Sequence, residues 1–114
     1  MNNQEAFDKV ARHLLQQKKR SLSINFTCAY RGTDNTRCAI GALIPDELYD
    51  SDMEENNIKV LIRDFAHMRK LFEDCSTDLL LDLQSVHDYH SPRDWRRKLY
   101  DVAEAYNLNT GALL

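Results

Sequence analysis

The sequence predicts an α+β fold: a small single domain, mostly helical, with one short antiparallel β-hairpin packed on four or five helices. Three observations carry that expectation. Apolar residues recur at helical spacing in several separate stretches, the stretch from Ser21 to Tyr30 alternates strictly instead, and turn residues follow that stretch closely. With 114 residues the chain has the length of one domain, 1–114, and can bury a core without disulfide or metal staples.

The elements follow in order. Phe7, Val10, Ala11, Leu14 and Leu15 draw one apolar stripe along a helix over residues 3–17. Asn2 or Asn3 caps its start, Glu5 suits the positive end of its dipole, and Lys18-Lys19-Arg20 suits the negative end. Leu22, Ile24, Phe26, Cys28 and Tyr30 then alternate with Ser21, Ser23, Asn25, Thr27 and Ala29. This is the pattern of a half-buried strand with Cys28 on its apolar face. Gly32-Thr33-Asp34-Asn35 is turn chemistry. A brief return strand is expected at 36–38, then a short helix that Ala39, Ala42 and Leu43 suit and in which Gly41 allows close packing.

Pro45 opens a helical turn through Asp46-Glu47-Leu48-Tyr49, and the acidic stretch 50–57 reads as an exposed loop. Ile58, Leu61, Ile62, Phe65, Met68 and Phe72 return to helical spacing. Ser76 or Thr77 caps the next helix, whose stripe is Leu79, Leu80, Leu83, Val86 and His87. Ser91-Pro92-Arg93-Asp94 combines a cap, a proline at the first position and an acid, which together start a helix. Trp95, Leu99, Val102, Ala103 and Tyr106 turn that last helix inward, and the tail 107–114 docks through Leu113 and Leu114.

Composition narrows the function classes. Fifteen Lys+Arg against eighteen Asp+Glu give a net charge of −3, which argues against a general phosphate-backbone binder and against duplex nucleic acid while leaving room for a local basic patch. Nothing approaches the ~20 apolar residues of a membrane span. Met1 opens a polar segment rather than a secretory signal. Three cysteines form an odd set, so reduced thiols in a cytosolic protein are expected.

Four constellations offer chemistry. Cys28, Cys38, His87 and His90 contain the donors of a zinc site, with the two histidines one helical turn apart. The ten-residue spacing of the cysteines is poor for a zinc knuckle, and no metal or other cofactor is expected. Cys38 stands where a strand is expected to meet a helix N-terminus, a place that lowers a thiol pKa; His87 as base and Asp88 as orienting acid would complete a cysteine-dependent hydrolase or transferase. The plainer alternative puts Cys38 in the core and makes His87 the end of an apolar stripe, bonded to a backbone carbonyl. Tyr30, Arg31 and Arg37 place two guanidiniums and an aromatic ring about one tight turn, a surface for phosphate and a base that His87 and Asp88 can join. Finally, Arg93, Arg96, Arg97 and Lys98 read as a solvated helix face, and the acids from Asp46 to Glu55 lack the spacing and central glycine of a calcium loop.

The segment CAYRGTDNTRCAIGALIPDELYD, followed by LQSVHDYH and a tryptophan-led helix, resembles a family of small proteins found in tailed bacteriophages and some bacteria. The resemblance covers nearly the whole chain. Its matching positions are Cys28, Tyr30, Arg31, Gly32, Arg37, Cys38, Gly41, Pro45, Asp46 and Glu47, then Gln84, His87 and Asp88. The chain departs from the pattern at Asn35, where relatives often carry glycine, and at Ala42, where a second cysteine is common; the latter weakens a zinc site further. The resemblance implies a setting rather than a reaction: an accessory protein of counter-defence type, acting in the host cytoplasm. It would neutralise a host component, either by sequestering a small nucleotide signal or by binding a host defence protein. The alternatives are the cysteine enzyme and a virion or assembly component, which would form a symmetric homo-oligomer.

Overall fold

The computed structural model describes residues 1–114 and contains six α-helices, five single 3₁₀ turns and no strand. The helices are α1 (Asn3–Gln17), α2 (Ala39–Leu43), α3 (Ile58–Asp64), α4 (Ala66–Leu71), α5 (Thr77–Tyr89) and α6 (Trp95–Ala105). The fold is therefore all-helical, and the expected α+β class with its β-hairpin is overturned. No helix is long and apolar enough to cross a membrane.

The helix starts obey local chemistry. Asn2 and Glu5 form a reciprocal capping box at α1, Asn57 caps α3, and Ser76 caps α5 through the Leu79 amide. Asn3 does not cap its own helix. Its side chain instead accepts the Ser76 amide at 2.7 Å, tying the start of α5 to the start of α1. Lys18 ends α1 in the left-handed conformation at φ 63°, with its amide bonded to Leu14 O.

α1 packs against α2, α5 and α6, and α5 also packs on α2, α3 and α6, so α1 and α5 share the centre. The stripes read from the sequence are the buried ones: Phe7, Val10 and Leu14 from α1, Leu79, Leu80 and Leu83 from α5, and Trp95 and Leu99 from α6. Leu113 is buried in the last 3₁₀ turn, whereas Leu114 stands in solvent. The apolar stripe from Ile58 to Phe72 is split at Phe65, which is extended (φ −119°, ψ 106°). Arg69 holds the break by donating to Ile62 O at 3.1 Å and Arg63 O at 2.8 Å, the carbonyls that the end of α3 leaves free.

The expected strand has no partner beyond one isolated antiparallel bridge, Leu22 to Cys28. The chain reverses inside the alternating stretch, with the Phe26 amide on Ser23 O at 2.9 Å and the Ser23 amide on Thr27 O at 2.7 Å, and turns again at the expected 32–35, where the Gly32 amide meets Thr36 O at 2.9 Å. Residues 36–38 form no return strand: Thr36 is tied into the preceding turn, and the Arg37 backbone is held by side chains. Gln17 of α1 accepts the Arg37 amide at 2.9 Å and donates to Arg37 O at 3.0 Å, and His13 also bonds that carbonyl.

Gly41 makes the junction possible. A Cβ there would lie 2.2 Å from the Tyr30 carbonyl oxygen, so α2 rests directly on the backbone of the preceding segment. Gly41→Ala must therefore separate α2 from Tyr30. We expect a loss of about 2–3 kcal/mol, read as a lower urea midpoint with unchanged slope.

Candidate functional site

The two motif blocks meet in space. His87, on the last turn of α5, is fully buried and stacks on Trp95 with ring centroids 5.5 Å apart. Its Nε2 accepts the Ser21 amide at 2.9 Å, which places the ring proton on Nδ1, and Nδ1–H donates to Asp88 Oδ1 at 2.8 Å. Gln84, one turn earlier, accepts the Ile40 amide at 3.0 Å and donates to the same Asp88 oxygen at 2.7 Å. The Cys28 sulfur completes the set, within 4.8 Å of the His87 and Asp88 ligand atoms. One carboxylate thus gathers α5, α2 and the 20–30 loop.

The expected trio Cys38, His87 and Asp88 is not what the fold assembles. Cys28, His87 and Asp88 bring their ligand atoms within 4.8 Å of one another, and Cys38 is not in that group. Cys38 is the N-cap of α2, its sulfur accepting the Gly41 amide at 3.3 Å. The helix-terminus position does not activate it: burial outweighs that amide and pushes the thiol up to about 12. Burial and the neighbouring Asp88 likewise hold Cys28 at about 11. The plainer reading of His87 comes close, except that the ring accepts a backbone amide and donates to a carboxylate. With Nε2 committed to Ser21 and Nδ1 to Asp88, neither nitrogen is aimed at a thiol as a base or has a lone pair free for a metal ion. His90 lies beyond the end of α5, so the two histidines do not share a helix face.

The ligand candidates divide between two places. Tyr30 and Asp88 line a cleft of about 290 Å³ together with Asn56, Gln84, Ser85 and Tyr89, while His87 braces Asp88 from behind. The Tyr30 hydroxyl donates to Asn56 O. The cleft's charged residues are Asp88 and Glu55, both acidic, so a phosphate there would meet two carboxylates and no cation. Arg31 and Arg37 point elsewhere and converge on Asp46, at 3.1 and 2.8 Å. Arg31 also donates to Gly41 O and Ile44 O, both at 2.7 Å, and lies 4.8 Å over the Tyr49 ring. Its guanidinium is the C-terminal cap of α2 and has little left for a ligand.

Sequence reasoning missed Glu54, which it placed in an exposed acidic loop. Its carboxylate accepts the Tyr30 amide at 2.9 Å, the Arg31 amide at 3.1 Å and the Tyr49 hydroxyl at 2.6 Å. No local signal marks an acid as the partner of amides more than twenty residues away. The exposed residues Ile24 and Phe26, 82% and 84% accessible at the loop tip, were also misplaced, because alternation assigned them to a buried strand face. Comparison with family models, curated proteins and solved structures returned no match.

Three experiments test this geometry. Arg31→Ala should cost about 2–3 kcal/mol in urea unfolding, since it strands buried carbonyls, whereas Arg37→Ala should cost under about 1 kcal/mol. The thiols set an alkaline limit. Their folded values, about 11 for Cys28 and about 12 for Cys38, exceed the ordinary 9.0, so the folded chain holds these protons more tightly than the unfolded one. Their contribution is full below pH 9 and is lost as pH rises towards those values, so the urea midpoint should fall from about pH 9 upward. Iodoacetamide at pH 7.5 should leave both thiols unmodified until urea unfolds the chain.

Proposed function

We propose that this chain is a non-enzymatic binding protein that neutralises a host protein, with the loop tip Ile24–Phe26 as its point of engagement. The carrying observation is Phe26, an aromatic residue 84% exposed and held at φ 64°. A bulky side chain in the left-handed region costs on the order of 1 kcal/mol where asparagine or glycine would sit more easily. Exposing the ring to water adds a solvation cost. Both costs fall on a loop that is otherwise fully tied: Ser21 and Ala29 pair across its base at 2.7 and 3.0 Å, and Ser23 and Thr27 hydroxyls meet at 2.8 Å.

A rigid apolar knob loses little entropy on entering a partner's pocket, which suits an inhibitor. The acidic character of the neighbouring cleft and the commitment of Arg31 and Arg37 to Asp46 make the protein-partner reading stronger than nucleotide capture at the predicted turn. The raised thiols and the committed histidine weigh against the cysteine-enzyme reading. The resemblance to phage proteins supplies the setting, a viral accessory protein acting inside the bacterial host.

The test uses Phe26→Asn and Ile24→Asn in affinity capture from host lysate, followed by native mass spectrometry. Wild type should retain one protein at fixed stoichiometry, and either substitution should reduce its recovery at least tenfold. Phe26→Asn should at the same time raise the melting temperature by roughly 2–6 °C, since asparagine accepts the left-handed backbone. Equal recovery by both variants would overturn the reading. So would a mass gain of only a few hundred daltons, or a self-assembled oligomer lost in the same variants, which would mark an assembly component.

A further inference from the structure

The fold brings together two basic runs that lie more than seventy residues apart in the chain. Lys18, Lys19 and Arg20 follow α1, Arg93 lies in the 3₁₀ turn that precedes α6, and Arg96 in its first turn. They line two adjoining clefts of about 380 and 390 Å³ that share Lys18 and Pro92. Asp34 is the single acid among the lining residues, 3.7 Å from Lys19 with both side chains largely in solvent, an ion pair that salt or a ligand readily displaces. In a chain of net charge −3, five cations against one acid is a strong local excess.

The cations differ in a way that suits a binding site. Arg20 is anchored, donating to His90 O at 2.8 Å and His87 O at 3.3 Å, and Arg96 is anchored on Leu113 O. The Lys18 and Arg93 side chains are exposed and make no hydrogen bond or ion pair, so two fixed charges frame two free ones. We infer that this double cleft binds a run of consecutive phosphate groups. One phosphate would occupy one cleft and leave the other cations facing each other, whereas a linked series spans both. No aromatic side chain lines either cleft, so phosphates rather than bases are recognised. The phosphates come from a nucleotide's polyphosphate tail or from the backbone of a short single strand. This site is separate from the Ile24–Phe26 tip and does not depend on the protein-partner reading.

Titration calorimetry at 50 mM salt with tripolyphosphate, and separately with a twelve-residue oligothymidylate, tests the inference. The double variant Lys18→Asn, Arg93→Ala removes the two free charges, and asparagine keeps the left-handed cap of α1. Binding of at least one probe should weaken tenfold or more, with an unchanged melting temperature. For the oligothymidylate the slope of log affinity against log salt should flatten by roughly 1.4, two contacts at ~0.7 each. Should the double variant melt early, Lys18→Gln with Arg93→Gln carries the same expectation. Tripolyphosphate binding alone assigns the nucleotide tail, and oligothymidylate binding alone assigns the strand backbone. Phe26→Asn should bind both probes as wild type does. Binding of neither probe, or equal binding by the charge variants, overturns the site.

Discussion

The constraint on which this structure depends is the backbone between the end of α1 and the start of α2. Residues 18–38 form neither a sheet nor an α-helix, yet Ser21, Ala29, Tyr30, Thr36 and Cys38 are buried there. A buried amide without a partner costs about 1–3 kcal/mol, so a segment of this length must find its partners elsewhere. Some are internal, as where the Ala29 amide meets Ser21 O and the Gly32 amide meets Thr36 O, and the rest are side chains of the surrounding helices and loops. Ser21 N–H goes to His87, the Tyr30 and Arg31 amides go to Glu54, and the Arg37 amide goes to Gln17. These long-range bonds do what a ladder of neighbouring strands would otherwise do.

This arrangement explains why residues that look catalytic on paper are spent structurally. His87 has to present an unprotonated nitrogen to Ser21, and Asp88 has to accept the proton that this tautomer leaves on Nδ1. Gln84 then orients Asp88 and also pairs with the Ile40 amide. No buried polar side-chain atom is left without a partner. Removing one member would strand several others, so the cluster acts as a unit and its parts are not independently available to a substrate.

What was legible in the sequence follows the same division. The helices of the core were readable because periodicity and caps are local: Phe7 to Leu14, Leu79 to Val86 and Trp95 to Ala103 are buried as their spacing requires. The 20–38 segment was not, since strict alternation from Leu22 to Tyr30 describes an extended chain and says nothing about a partner strand. With no partner, Ile24 and Phe26 face solvent while Tyr30 faces the core. Glu54, Gln17 and Gln84 are ordinary polar residues whose partners lie twenty to forty-four positions away. Phe65 breaks a continuous apolar stripe without proline or glycine, and the arginine that holds the break, Arg69, is itself downstream. The candidate site was legible only in part: of the expected ligand set, Tyr30, His87 and Asp88 come together at one cleft, whereas Arg31 and Arg37 converge on Asp46, and Gln84 and Cys28 take their places beside Asp88. It was not legible as a geometry, because the direction of each hydrogen bond decides the chemistry.

A chain that satisfies its buried polar groups this completely gives meaning to the places where it does not follow local preference. Folding stability alone favours asparagine or glycine at position 26, a polar residue at a tip as exposed as position 24, and an acid near Lys18 and Arg93. The protein instead carries Phe26 at φ 64°, Ile24 beside it and two unpaired cations on a shared cleft. None of these features supports the core, and each opposes stability or solubility by an amount selection could have removed with one substitution. The roles proposed for the apolar tip and the basic cleft would account for both departures. The buried network beneath them accounts for the rigidity that would let an exposed ring and a set of separated charges act as fixed surfaces.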